Sequence, residues 1–195
     1  MNRICIAGMA LIGAMITAGL AGPLSAQQSR AVEDSAWVPV PPTEQLARLR
    51  PFLGLYSHAG QTWISDRPGQ GSWRGTLEVK PAGKGWYVDW IVSTQSGPID
   101  RQLRMVMTWD ADAGEYRVWR FASVPGDAGH MGTARFEGKD LIMEWHGAPA
   151  PDGSPGIFRN TIRMNGADEL VIRSEAEKSD GTIVLLGEWT NRRLL

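Results

Sequence analysis

From Leu53 to the end of the chain, apolar and polar residues alternate with a period of two, the signature of strands with one buried face. In "WRGTLEVK", Trp73, Gly75, Leu77 and Val79 share a face. "WYVDWIVST" groups Trp86, Val88, Trp90 and Val92, "LRMVMTW" groups Met105, Met107 and Trp109, and "LIMEWHG" groups Leu141, Met143 and Trp145. "FRNTIRM" sets Phe158, Asn160, Ile162 and Met164 against Arg159, Thr161 and Arg163. The segments "PAGKG", "SGPID", "DADAG", "FEGKD", "MNGAD" and "KSDGT" separate these runs, and each carries Gly, Asn or Asp, which tolerate tight turns. About ten strands joined by short connections predict an all-β, antiparallel up-and-down meander. A meander of that length closes into a barrel, because closure removes both unpaired edges. A barrel of eight to ten strands holds its own side chains or one small ligand.

One helical pattern precedes the strands. In "TEQLARLRPFLG", Thr43 suits an N-cap, Leu46, Leu49 and Phe52 fall on one side, and Pro51 ends a helix of about two turns. Residues 27–42 are polar and then Pro-rich ("WVPVPP"), which predicts an extended tail. Residues 1–26 have the order of a secretory signal peptide: a basic start at Arg3, the apolar run "ICIAGMALIGAMITAGLAG", and small residues up to Ala26. The expected organisation is therefore a signal peptide (1–26), a tail (27–42) and one barrel domain (43–195), secreted and periplasmic. An uncleaved segment would be the chain's one route to a membrane.

Composition narrows the chemistry. The only cysteine, Cys5, lies in the signal segment, so the domain gains no stability from disulfides and must rely on burial. With 20 basic against 21 acidic residues and no Lys/Arg run, nucleic acid is not an expected partner. The nine tryptophans are an excess over the two or three that average usage would give. They either fill the barrel or line a cavity.

The stretch "WDADAGEYRVWRF" reads as a hairpin. If Trp119 faces inward, Arg117 does too, and either snorkels at the rim or meets an anionic group on a ligand. Asp110 and Asp112 read as turn residues. His58, His130 and His146 lack metal-ligand spacing and read as loop or surface residues, so no metal or other cofactor is expected. No Gly-x-Ser-x-Gly element or phosphate-binding loop occurs, and no catalytic residue is assigned.

The segments "LRPFLGLYS", "GKGWYVDWIV", "MTWDADAGEYRVWRFAS", "GTARFEGKDLIMEW", "NTIRMNGADELVIRSEAEKSDGT" and "GEWTNRR" follow one another in a distinctive order. In that order the chain resembles a largely uncharacterised bacterial family of calycin-like, or lipocalin-like, barrels catalogued as a domain of unknown function. Tyr56 stands where that family often has Trp. The related haem-binding nitrobindin branch has a Gly-x-Trp-x-Gly-x-Gly signature and a late histidine, and neither is present here. The resemblance implies a barrel with a cavity, and no activity.

The expected function is a small-molecule-binding barrel for a hydrophobic or amphipathic ligand. The candidate ligand-binding residues are Trp73, Trp86, Trp90, Met107, Trp109, Arg117, Trp119, Trp145 and Asn160. The alternatives are an enzyme using the barrel mouth, or a non-catalytic interaction or structural protein.

Overall fold

The structure is a computed structural model, which describes residues 44–62, 71–123, 129–149 and 155–194. The expected signal peptide, the Pro-rich tail, Thr43, Trp37 and Trp63 lie outside the described residues.

Ten antiparallel strands form one closed barrel: β1 (Gly54–Thr62), β2 (Gly71–Ala82), β3 (Tyr87–Ser96), β4 (Ile99–Asp110), β5 (Glu115–Ala122), β6 (His130–Glu137), β7 (Asp140–Pro149), β8 (Pro155–Asn165), β9 (Glu169–Glu177) and β10 (Ile183–Arg193). Each strand pairs with its sequence neighbours, and β1 closes the ring against β10, Tyr56 opposite Arg193 and Gly60 opposite Trp189. The expected all-β, up-and-down lipocalin-like barrel with a short N-terminal helix is what forms.

The helix is shorter than its pattern predicts. α1 spans only Glu44–Ala47, and a 3-10 turn follows over Arg50–Phe52. Pro51 is why: its ring carries no N–H to continue an α-helical ladder. The predicted side is the buried one, with Leu46, Leu49 and Phe52 all in the core. These three residues close one end of the barrel. There Phe52 packs on Trp90 and Phe136, and the Arg48 guanidinium lies 4.2 Å from the centre of the Phe136 ring.

At this capped end the strands are joined by short turns (83–86, 111–114, 138–139 and 166–168). In the 111–114 turn Asp110 acts as the sequence suggests. Its Oδ1 accepts from the amides of Asp112 and Ala113, and the Gly114 amide donates to the Asp110 carbonyl from φ +68°. Apart from the two-residue 97–98 link, the connections at the opposite end (63–70, 123–129, 150–154 and 178–182) run longer. Two bulges, at His146/Ala148 in β7 and Leu185/Gly187 in β10, fall toward that opposite end.

Arg193, at the end of β10, ties the capped end together. Its guanidinium donates to the carbonyls of Leu53, Pro51 and Ala167 and lies 4.9 Å from the centre of the Tyr56 ring. Tyr56 in turn donates its hydroxyl to the Phe52 carbonyl at 2.9 Å. This seat lies against the backbone of Gly54, where a Cβ would stand 2.3 Å from Arg193 Nη1.

A half-filled barrel and its polar upper lumen

Register decides which residues face the lumen, because directly paired residues point to the same side of a sheet. In the half nearest the cap, the inward residues Leu77, Trp90, Met107, Val118, Leu141, Met143, Ile162 and Leu170 are all 0% exposed. Full shielding leaves no water-sized space beside them, so this half is a packed core. Farther along the same strands the inward positions change character. Gly60, Thr94, Arg101, Leu103, Arg120, Ala122, Phe158 and Trp189 are only half-buried. The lumen is therefore solid near the cap and partly accessible toward the opposite end, a region we call the cup.

The wall and floor of the cup carry polar groups. His58 is 5% exposed, and its Nδ1 donates to Asn191 Oδ1 at 2.5 Å. Asn191 Nδ2 donates to the Leu170 carbonyl at 2.9 Å, which fixes the amide orientation and hence the histidine tautomer. Nε2 is then an acceptor. Burial pushes the His58 imidazole below its usual range, against the opposing effect of the Asn191 hydrogen bond, so the ring is neutral at physiological pH. It stacks against Trp189, centroids 6.1 Å apart. Beside this pair, Ser174 donates its hydroxyl to Asn160 Oδ1.

Glycines let two indoles lie against the wall. A Cβ at Gly132 would meet Trp145 Cδ1 at 2.7 Å, and a Cβ at Gly60 would meet Trp189 Cδ1 at 2.3 Å. Removing those side chains seats each ring on the backbone rather than across the lumen. On the other side, the Arg101 guanidinium lies 4.9 Å from the centre of the Trp73 ring.

The predicted residues separate into three groups. Trp73, Trp145 and Asn160 hold inward positions farther from the cap, all buried. Trp90 and Met107 face inward but belong to the packed core, and half-buried Trp109 lies beneath them at the capped end, edge-on to Tyr116 with centroids 5.0 Å apart. Trp86 is not in a strand at all. It follows the 3-10 turn Gly83–Gly85 at the capped end, and its carbonyl accepts from the Thr108 hydroxyl.

Arg117 and Trp119 must be corrected to the outer face. Met107 pairs with Val118 and Trp109 with Tyr116, and Tyr116 and Val118 are the buried residues of β5. An even-numbered turn joins odd positions of β4 to even positions of β5, so the large indole at 119 points out despite its size. Arg117 there binds Asp110 at 3.1 Å and Glu115 at 3.0 Å. With Trp119, Thr108 and Met131 it borders a shallow outer groove.

His58 is the second correction: it is a buried luminal residue, not a loop or surface one. The alternation Tyr56-x-His58-x-Gly60 carries that signal. Continuing the Met105–Met107–Trp109 face backward through Leu103 likewise reaches Arg101. His146, by contrast, is exposed.

Neither a protein-family model nor a curated protein matches the chain. Among solved structures, the crystal structure of Rv2717c from M. tuberculosis is similar, with a TM-score of 0.55 at 13% identity, covering 78% of this chain and 99% of that one. A protein of unknown function from the DUF3598 family of Nostoc punctiforme aligns at 12% identity over 78% of this chain and 100% of that one, with a TM-score of 0.22. At such identities the first likeness concerns the barrel alone, and the second carries no argument.

Proposed function

We propose that the protein binds a small hydrophobic or amphipathic molecule in the upper half of its barrel. The observation that carries this reading is the division of the lumen. The same inward register that is fully shielded near the cap becomes half-accessible above it, where indoles lie on glycine and polar side chains are interspersed. Concave sites with apolar walls and a few fixed polar groups are the usual form of small-molecule sites.

The test uses the protein's own fluorophores. Trp189 is half-buried in this half, with buried Trp73 and Trp145 at inward positions beside it, so titration with lipids, haem and aromatic acids shifts or quenches indole emission if the reading is right. Native mass spectrometry of the purified protein shows any molecule that co-purifies. Unchanged emission with every class, together with a bare protein mass, overturns the reading.

The motif order further supports placing the chain among the calycin-like barrels, and residues 1–26 support export to the periplasm. Export predicts a processed protein beginning at Gln27, which N-terminal sequencing from the producing cell checks.

A further inference from the structure

The barrel sorts its charges by side. Every Asp and Glu in the described strands occupies an outward register position; Asp89, Glu144, Glu175 and Glu188 are examples. The inward arginines are Arg101, Arg120 and Arg193. Arg193 is engaged by carbonyls and the Tyr56 ring at the capped end, which leaves Arg101 and Arg120 in the cup. Arg120 is opposite Met105 on one side and His130 on the other.

Arg101 is the informative one. Its Nε is buried and has no hydrogen-bond partner, and among the described residues no carboxylate pairs with it. Burial acts on its guanidinium without a compensating charge and pushes its pKa down. A partly desolvated cation with an unused donor is costly unless something supplies negative charge. The guanidinium lies over the Trp73 ring, 4.9 Å from its centre, and a guanidinium fork can make two parallel N–H···O bonds, the geometry that suits a carboxylate or sulfonate.

We infer that the ligand of the cup is an organic anion whose head sits on the edge of Arg101 and whose apolar body lies against Leu103, Phe158 and Trp189. The inference rests on the luminal reading above and adds the sign of the ligand's charge. The neutral His58 fits the same ligand, since its Nε2 accepts from a hydroxyl or N–H on the body and adds no second charge.

The experiment compares anilinonaphthalenesulfonate with its uncharged parent, N-phenylnaphthylamine, by probe fluorescence on the full chain. The expected result is binding of both, the anion at least about tenfold tighter, a difference of about 1.4 kcal/mol. Arg101→Met abolishes the preference and leaves affinity for the neutral probe unchanged. Arg117→Met, on the outer face, changes neither. Should Arg101→Met fail to fold by near-ultraviolet circular dichroism, Arg101→Gln keeps a polar end over Trp73 and carries the same expectation.

Equal affinity for the two probes, or a preference that survives loss of the Arg101 charge, overturns the anion and leaves the luminal site standing. A preference abolished by Arg117→Met places the probe in the outer groove and overturns the inference. Failure of both probes to bind the unaltered protein overturns the luminal site itself.

Discussion

The two halves of the lumen are built from the same strands and the same alternation, yet they do different work. Near the cap, most inward positions carry Leu, Met, Ile, Val, Phe, Tyr or Trp, and eight of them are fully shielded. Toward the other end the inward series passes to Gly60, Gly75, Thr94, Arg101, Arg120, Asn160 and Ser174. The difference teaches that binary pattern specifies the wall of a barrel, whereas residue volume and polarity along that pattern decide whether the barrel is a core or a container.

Substitutions test this division. The largest effect is expected in the packed half: Trp90→Ala removes a fully shielded indole and costs about 3–5 kcal/mol, read as a fall in urea midpoint. A comparable loss from Phe158→Ala, in the cup, would erase the distinction between the halves.

Gly132→Ala comes next. The added Cβ would stand 2.2 Å from the Glu144 carbonyl and press on Trp145, costing about 1–3 kcal/mol and shifting the near-ultraviolet circular dichroism of the indoles. Arg193→Met frees the carbonyls of Leu53 and Pro51 at the capped end, with an expected loss of about 1–3 kcal/mol in the same measurement. Ligand-induced changes in fluorescence should survive it if the cap and the cup are separate.

A smaller effect concerns the outer carboxylates. Burial alone would raise the Glu144 pKa, but Arg135 and Arg159 donate to it, Arg159 Nε at 2.7 Å, and the net shift is downward. A carboxyl whose folded pKa is depressed contributes stability above its unfolded value and loses it as pH falls through the lower folded value. Stability should therefore drop on the acid side of the ordinary glutamate range. In Glu144→Gln that part of the acid slope is missing from urea midpoints measured against pH. The smallest expected change is Leu103→Ala, about 1 kcal/mol or less, because the side chain is already half-exposed.

The architecture was legible because strand alternation and turn chemistry agree over nearly the whole described chain. Phe158, Asn160, Ile162 and Met164 are on the predicted face, and Asp110 has its predicted turn role. A strand's own pattern misleads where only its partner's register can choose between two faces. Considered alone, β5 offers two amphipathic faces, and the one with Trp119 and Phe121 looks the more apolar. Register with β4 assigns the inside to Tyr116 and Val118 instead. His58 and Arg101 were obscured for another reason. A polar residue on an apolar face resembles a break in the pattern, and only burial and register identify it as luminal.

Closure by β1 against β10 has a consequence for how the chain acquires its structure. During synthesis nine strands can associate as they emerge, but Gly54–Thr62 keeps one flank without a neighbour until residues 187–193 leave the ribosome. The final step joins segments more than a hundred positions apart, a contact of the kind that slows folding. Until then the nascent sheet carries two open borders, so the arrival of β10 decides whether it closes on itself or stays a template for association.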